Sequence, residues 1–468
     1  MIDLTQKAID QRDLQFHNLF SNLQGNILKG HGREHTTHIF VRFNGGRKLR
    51  ARAWVRDFAE RITSCQTQLK DTEVFKRNCV SGGMFVGFLL AAEGYDYFGH
   101  NTETNFPDAH AFRGGMAEGS RTQKNSLNDP PQSQWELGFR DGIHAMILLA
   151  DADLNKMGNE ARKIIKEIDG FGRILTVEYG NAIKNANGDG LEHFGYVDGI
   201  SQPLFFKDEV DKYNKMNDNT NPLKFDPSAS LDLVLVNDPL SPDADSFGSY
   251  FVFRKLEQNV RGFKTAEKRL ADALRLQGED DERAGAMIVG RFEDGTPLTD
   301  SNMAGLIGSG IMNNFNYDSD QDGARCPFHA HIRKSNPRSS EGDKKRIMAR
   351  RGITYGHRNV STDIELDFAQ MPTKNAGVGL LFMSFQQSIE NQFAFIQRSW
   401  VNNPNFIQGG VGIDPIIGQD GIRNVSTGAF PTIYNDPNSM EVESFNSFVE
   451  MKGGEYFFAP SIPFLKNI

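Results

Sequence analysis

Short apolar segments alternate with helical patterns in the first part of the chain, and this alternation limits the fold more than any other feature. Each apolar segment has the length of a strand, and the stretches between them carry apolar residues at helical spacing. The predicted strands are His38–Phe43, Met84–Ala92, Gly142–Ala150 and Gly172–Tyr179, and the predicted helices are Arg47–Thr63 and Asp151–Asp169. This β-α-β, β-α-β order is that of a ferredoxin-like domain.

The same order starts again after a polar stretch. Lys207–Asp245 is rich in Asp, Asn, Pro and Lys, which is typical of a linker or a long surface loop. After it, the predicted strands are Ser249–Arg254, Gly377–Phe385 and Glu455–Ala459, and the predicted helices are Asn259–Leu276 and Gln386–Trp400. The sequence therefore predicts two domains, 1–206 and 246–468, joined by a linker at 207–245.

The charge balance argues against a nucleic-acid partner. The chain has 60 acidic and 52 basic residues, a net charge of −8 and a pI of about 5.8. A protein that binds nucleic acid needs a basic surface that displaces counterions from the phosphates. We therefore expect no nucleic acid among the partners of this protein.

The sequence also gives no sign of a membrane anchor or of export. The longest strongly apolar stretch, Met84–Ala92, is far shorter than the roughly 18–20 residues of a membrane helix. Met1–Phe20 lacks the basic stretch and apolar run of a secretory signal. The three cysteines are too few for a disulfide framework and form no C-x-x-C motif. We therefore expect a soluble, reduced, cytoplasmic protein with no membrane partner.

One candidate site is a carboxylate between two glycines in the segment Glu192–Pro203, which reads E-H-F-G-Y-V-D-G-I-S-Q-P. Gly195 and Gly199 allow the backbone to turn tightly on both sides of Asp198. A carboxylate in apolar surroundings is suited to proton transfer. Asp is also a common cap of turns and helices, so the local sequence leaves both roles open.

A second candidate site is the segment Arg325–Arg338, R-C-P-F-H-A-H-I-R-K-S-N-P-R, which contains two histidines and three arginines. With a spacing of two residues, His329 and His331 would lie on nearly opposite sides of a helix, where both could not ligate one ion. On a strand they would share one face. One histidine on haem iron, with arginines on the propionates, uses this composition better than a paired-histidine metal site. A non-haem metallohydrolase with His329, His331 and Asp198 stays open, as do a structural histidine and a solvated arginine cluster.

Taken together, these segments resemble the dye-decolourising peroxidases. The G-x-x-D-G of Gly195–Gly199, extended by I-S-Q-P, resembles the signature of that family, and Cys326–Arg338 resembles its proximal haem segment. R-R-G-I-x-Y-G at Arg350–Gly356 resembles its distal arginine segment. Asn22–Gly30 and Gly453–Ser461 match as well, so the resemblance spans nearly the whole chain. The chain length resembles that of the longer subgroup, found in fungi and some bacteria.

The resemblance implies an α+β fold of two ferredoxin-like domains, with antiparallel sheets and peripheral helices, of the dimeric α+β barrel type. It implies haem b (iron protoporphyrin IX) in the C-terminal half and oxidation of bulky dyes and phenols by hydrogen peroxide, with an acidic optimum. By motif position, His331 is the axial iron ligand, Asp198 the distal acid–base residue and Arg350 the distal arginine. The further residues implied for the haem site are Arg338 as a propionate contact, Asp414 as the partner of His331, and Leu380 and Phe382 on the access route.

Bulky aromatic donors are too large to fit beside Asp198, so their electrons are expected to pass through oxidisable side chains. Tyr355, five residues beyond Arg350, and Trp400 are the candidates, and ordinary packing is the competing interpretation for both. The main alternative function is a haem-binding or iron-handling protein with low peroxidase turnover. Such a protein would keep His331 without needing both Asp198 and Arg350, so the presence of both favours the enzyme.

Overall fold

The architecture is a closed antiparallel ring of strands in a computed structural model that describes residues 2–119, 127–217, 223–243, 245–276, 281–305, 313–358 and 368–468. The strands of the ring are β1 (His35–Phe43), β2 (Phe85–Leu90), β3 (Ala145–Asp151), β4 (Gly172–Asn181), β5 (Phe247–Gln258), β6 (Ile353–Tyr355), β7 (Gly379–Gln386) and β8 (Val449–Ala459). They pair in the order β5-β8-β2-β3-β1-β4-β6-β7, and β7 pairs with β5 to close the ring. Closure into a barrel protects strand edges from pairing with other chains.

The ring consists of two four-stranded sheets with the same topology. β1 to β4 lie in the order β4-β1-β3-β2, and β5 to β8 lie in the order β8-β5-β7-β6, so each sheet places its fourth strand beside its first. Single residue pairs join the sheets, Phe458 with Leu90 and Tyr355 with Gly180. The expected fold class, two ferredoxin-like units in a dimeric α+β barrel arrangement, is confirmed. The boundaries at 206 and 246 stay a prediction.

The strands β2 and β3 are apolar along their length because both of their faces are covered. Every residue of β2 and β3 is buried. Inside the ring, Phe40 of β1 has its ring centroid 4.8 Å from that of Phe253 on β5 and 6.2 Å from that of Phe457 on β8. These strands are not neighbours in the ring, so the contacts cross its interior, and side chains fill the barrel.

Most of the described helices occupy connections between strands, whereas His17–Asn22 precedes the first strand and Ile462–Asn467 follows the last. Leu154–Ile168 shows why they form: Asp153 caps its first turn, and Met157, Ala161, Ile164 and Ile168 form a buried stripe at helical spacing. The other α-helices are His17–Asn22, Lys48–Ala59, Cys65–Asn78, Ala92–Phe98, Thr102–Asn105, Ala109–Gly119, Lys207–Met216, Val260–Ala273, Asp281–Val289, His331–Ser335, Glu341–Lys344 and Ile462–Asn467. A separate hairpin pairs Val425–Pro431 with Met440–Asn446.

Two predictions about individual elements were wrong. The predicted helix Gln386–Trp400 is instead the end of β7 followed by two π-helical segments, Ile389–Ala394 and Ile396–Val401. The predicted linker 207–245 is not all loop, because it begins with the helix Lys207–Met216. That helix has acidic residues in its first turn and a lysine in its last, which suits the helix dipole, but it buries little apolar surface and so resembles a loop in composition.

The helices bear on the membrane question as well. Among the residues that the structure describes, none of them combines the length and the apolarity that a membrane span requires.

Candidate functional site

A large cavity lies where β5 and β7 meet the helix His331–Ser335 and the segment 198–202. Its walls are mostly apolar and include Leu256, Val289, Ile332, Leu380, Phe382 and Phe393. The ionisable side chains that line it are Glu192, Asp198, Arg254, Arg291, His331, Arg338 and Arg350. An apolar cavity with a few convergent polar groups is typical of a cofactor site.

His331 and Asp414 form a hydrogen-bonded pair at one wall of this cavity. His331 begins the short helix His331–Ser335, and its Nδ1 lies 2.7 Å from Oδ2 of the fully buried Asp414. Asp414 Oδ1 accepts hydrogen bonds from the backbone N–H groups of Ile416 and Ile417 at 2.7 and 3.0 Å. With Nδ1 committed to the carboxylate, Nε2 is the ring nitrogen that His331 offers to a ligand.

The electrostatics of this pair keep Asp414 ionised. Burial lowers the pKa of His331, but the carboxylate of Asp414 outweighs it, and the net result is a raised pKa. Burial raises the pKa of Asp414, but His331 and the two backbone donors outweigh it, and the net result is a lowered pKa. The structure thus brings His331 and Asp414 into direct contact, and their role at an iron stays a prediction.

His329 does not take part in the cavity. Its side chain is buried, and its ring packs edge-on against Phe430 with centroids 4.6 Å apart. Burial lowers the pKa of His329 to about 3. The structure thus separates His329 from His331 and Asp198, and the described residues contain no group of three His, Cys, Asp or Glu side chains placed to hold a metal ion. The alternative of a non-haem metallohydrolase is not supported.

Asp198 and Arg350 face the same cavity. Gly195 and Gly199 adopt φ of 107° and 82°, which glycine accepts readily, and they turn the backbone on both sides of Asp198. The N–H of Gly199 donates to Asp198 Oδ1 at 2.6 Å, and Arg350 Nη1 lies 3.4 Å from the same oxygen. Arg350 Nη2 also donates to the carbonyl of Ser201 at 3.1 Å. A carboxylate and a guanidinium thus lie side by side, each still partly exposed to the cavity.

The guanidinium of Arg338 is surrounded by neutral hydrogen-bond acceptors. Its guanidinium donates to the carbonyls of Asn313 and Phe315, both at 2.8 Å, and to the hydroxyl of Ser201 at 3.1 Å. It also stacks between the rings of Phe225 and Phe315. Burial lowers the pKa of Arg338 to about 10.

Three ionisable residues of the cavity were missed by sequence reasoning. Arg291 is buried, and burial together with the neighbouring Arg338 lowers its pKa to about 9. Arg254 pairs with the buried Asp129, and burial raises the pKa of Glu192 to about 7. From the sequence, Arg291 could have been suspected as a buried cation, because it lies two residues after the helix Asp281–Val289. Arg254 gave no such indication, because it lies in a segment with the sequence of an ordinary buried strand.

Leu380 and Phe382 line the cavity, and their place on an access route stays a prediction. They alternate on β7 and so share one face of the strand. Tyr355 and Trp400 lie outside it, and both are buried, with relative exposures of 5% and 4%. Lys255 lies over the Tyr355 ring at 5.0 Å, and Trp400 stacks on Phe406 with centroids 5.2 Å apart.

Comparison with known proteins decides the family. The model of the C-terminal domain of Dyp-type peroxidases matches residues 217–406. The multifunctional dye peroxidase DyP2 of Amycolatopsis sp. is 42% identical over 461 residues, which cover 96% of each chain. The chain belongs to the DyP-type peroxidase family.

Solved structures of this family agree with the fold. DyP2 of Amycolatopsis sp. superposes with a TM-score of 0.91 at 40% identity over the whole of both chains. The DyP-type peroxidase of Anabaena sp. superposes with a TM-score of 0.90 at 39% identity, covering 99% of this chain and 98% of that one. This DyP-type chain is therefore a haem peroxidase, and the alternative of a haem-handling protein with low turnover is not supported.

The residues of the cavity fit a haem. Haem iron requires a ligand such as a histidine nitrogen, the macrocycle requires apolar walls, and its two propionates favour cations. His331 supplies the nitrogen, and the side chains of Ile332, Leu380 and Phe382 supply apolar surface. Arg291 and Arg338 bring two guanidinium groups to the cavity, the first buried and the second partly buried, and burial lowers the pKa of both.

Proposed function

We propose that this DyP-type enzyme holds haem b and uses hydrogen peroxide to oxidise bulky aromatic dyes and phenols, with an acidic optimum. One observation carries the proposal: a single apolar cavity contains both the His331–Asp414 pair and the Asp198–Arg350 pair. The first pair is suited to hold iron, and the second is suited to act on peroxide.

His331 would ligate the iron through Nε2. Asp414 accepts the hydrogen bond from Nδ1 and makes the imidazole a stronger electron donor. The bound haem supplies the redox chemistry, and the protein supplies orientation and charge. Arg338 and Arg291 would hold the propionates, because both guanidinium groups line the cavity and a guanidinium pairs well with a carboxylate.

Asp198 would move the peroxide proton. The N–H of Gly199 fixes Oδ1, and that carboxylate takes a proton from one peroxide oxygen and delivers it to the departing one. Arg350 stabilises the negative charge that develops as the O–O bond breaks. We expect an acidic optimum because carboxyl groups are the acid–base groups that titrate in the acidic range.

Electrons from bulky donors would cross the protein through Tyr355 or Trp400. Leu380 and Phe382 line the cavity and would restrict the access of a large dye to Asp198. Both side chains are buried, so each would relay electrons between a donor at the surface and the cavity rather than contact the donor itself.

The cytoplasmic location stays a prediction, and the free cysteines, Cys65, Cys79 and Cys326, suit a reducing compartment.

The test is an absorption spectrum followed by a turnover assay. The purified holoenzyme should show the Soret band of ferric haem, and the extracted pigment should have the mass of iron protoporphyrin IX. It should then bleach an anthraquinone dye only when peroxide is present. A protein with the Soret band that does not turn over dye or phenol with peroxide contradicts the proposed substrate class.

A further inference from the structure

Lys334 is a fully buried lysine whose three ammonium protons all meet backbone carbonyls. Its Nζ donates to the carbonyls of Asn403, Phe406 and Gly412, each at 2.7 Å. An ammonium group has three donors, so these three bonds use its full capacity. Burying a charge is expensive unless it is compensated in this way, so a cation at this position requires a reason.

The three carbonyls belong to the loop that leads into Asp414. This loop, residues 402–413, begins after the π-helical segment Ile396–Val401, and the N–H of Asp414 donates to the carbonyl of Val401 at 2.9 Å. Lys334 therefore binds both the start and the end of the loop. The side chain acts as a clamp across the segment that fixes where the Asp414 carboxylate lies.

His331 and Lys334 lie three residues apart on the helix His331–Ser335. Residues at this spacing are neighbours on a helix surface. One short helix thus presents the imidazole to Asp414 and the ammonium to the loop that carries Asp414. Any shift of that loop relative to the helix would change both contacts together.

We propose that Lys334 is a positioning residue, which holds the loop 402–413 so that Asp414 meets His331 Nδ1 in hydrogen-bonding geometry. The inference rests on the proposed role of His331 as the iron ligand. Lys334 does not line the cavity and does not contact the reacting atoms. In this role, the buried charge would help to set the reduction potential of the iron.

The sign of the change in reduction potential separates this role from a direct effect of charge. Removing a nearby cation stabilises ferric haem, which carries one more positive charge than ferrous haem, and so lowers the potential. Loosening the hydrogen bond from His331 to Asp414 makes the imidazole a weaker donor and so raises the potential. A rise on removal of Lys334 therefore reports the position of Asp414.

Arg333 offers a matched control on the same helix. It is also a buried cation, but its guanidinium donates to the Asp320 carboxylate and to the carbonyls of Asp320 and Cys326. Arg333 therefore anchors a different segment, and its removal should lower stability without disturbing Asp414. This comparison separates a general loss of packing from a specific loss of position.

The experiment measures the ferric–ferrous potential of the holoenzyme and the Fe–His stretching frequency of its ferrous form by resonance Raman. Lys334→Met should raise the potential and lower the stretching frequency, in the same direction as Asp414→Asn. The double variant should show no rise in potential beyond that of Asp414→Asn alone, because the clamp raises the potential only through that carboxylate. Arg333→Met should leave the stretching frequency unchanged. If Lys334→Met does not load haem, Lys334→Arg replaces it in the experiment, because this variant keeps the charge but not the three-carbonyl geometry. Its reduction potential should rise by less than that of Asp414→Asn.

Two outcomes would overturn the inference without touching the proposed function. One is an unchanged or lowered potential in Lys334→Met while Asp414→Asn raises it, and the other is a Lys334→Met shift that adds in full to that of Asp414→Asn. Failure of the proposed function looks different: His331→Ala would then keep the parent absorption spectrum.

Discussion

Arg350 Nη1 lies 3.4 Å from Asp198 Oδ1, and 152 residues of chain separate the two. This distance is at the long end for a hydrogen bond, and the shorter bond of the guanidinium goes to the carbonyl of Ser201. The carboxylate in turn is fixed by the N–H of Gly199. Backbone groups therefore hold the Asp198 carboxylate and the Arg350 guanidinium more closely than the two side chains hold each other. Both side chains can still form hydrogen bonds with a small ligand such as peroxide.

Asp198→Asn should slow the reaction with peroxide by roughly 10²–10⁴-fold, which is the usual contribution of general acid–base catalysis. The substitution keeps the shape of the side chain but removes the proton acceptor. The rate should also depend less on pH, because no carboxylate remains in the cavity to carry the peroxide proton. Rapid mixing of the ferric holoenzyme with peroxide across pH measures both effects. A parent rate at every pH would assign the chemistry to Arg350 alone.

Arg350→Leu should slow the same step by about 10²–10³-fold and keep its pH dependence, since Asp198 remains. Arg351→Leu is the control, because this guanidinium donates to the backbone carbonyls of Asn26, Ile27 and Arg350 and does not line the cavity, so its loss leaves the Arg350 guanidinium in place. The control should react with peroxide at the parent rate. Equal losses in the two variants would show that the arginine effect is structural.

His331→Ala should lose haem or bind it weakly, because it removes the proposed iron ligand. His329→Ala should keep a normal Soret band, since His329 packs against Phe430 outside the cavity. The measurement is the ratio of Soret to protein absorbance after reconstitution with haem. The opposite result would mean that the two histidines exchange roles.

Much of the fold was predictable from sequence because its strands are buried on both faces. Segments such as Met84–Ala92 and Gly142–Ala150 carry continuous apolar runs that only a covered strand explains. Closure of the ring was not predictable from these runs, since it depends on the single pairs Phe458–Leu90 and Tyr355–Gly180. The π-helical segments after β7 were missed because an apolar run at helical spacing does not distinguish an α-helix from a π-helix.

The candidate site was predictable where its residues lie in one segment and less so where they come from distant ones. His331, Asp198 and Arg350 were identified through motifs, and all three line the cavity. Arg254 was missed because only the tertiary structure brings its strand to the cavity. Glu192 was missed although it begins the segment that contains Asp198, because nothing in that segment shows that its side chain lines the cavity. Lys334 lies within a recognised motif, but its partners are carbonyl groups 69 to 78 residues away, which no side-chain pattern reveals.

Tyr355→Phe should reduce turnover of a large anthraquinone dye several-fold and leave turnover of a small phenol nearly unchanged. It removes the oxidisable phenol at almost constant volume, and Tyr355 is buried, so no donor contacts it directly. Tyr250→Phe is the control, because Tyr250 is a fully buried tyrosine packed against Phe458 outside the cavity. Equal rates for both donors in Tyr355→Phe and in the parent would exclude this route, and the same assay on Trp400→Phe would test the other.

Glu455→Gln should stabilise the protein at neutral and alkaline pH and have no effect below pH of about 4.5. Burial, with a smaller contribution from Glu93, raises the pKa of Glu455 to about 7. Since Glu455 Oε1 accepts from the N–H groups of Met116 and Tyr456, a glutamine oxygen can replace it. A carboxyl group with a raised pKa stabilises the fold below its unfolded pKa, and this stability is lost as pH rises through the folded value.

As pH rises through the pKa of Glu455, the free energy of unfolding of the parent should fall by about 2 kcal/mol. This is somewhat less than the pKa difference alone implies, because the Glu455 side chain keeps some solvent contact. Glu450→Gln on the same strand β8 is the control with opposite sign. Lys374 and Lys452 outweigh the effect of burial and lower the pKa of Glu450, so this glutamine should destabilise at neutral pH and have no effect in acid. Thermal unfolding of the parent and both variants from pH 4 to 8 measures the two trends. If Glu455→Gln and the parent keep the same difference in melting temperature at every pH, Glu455 does not titrate in this range.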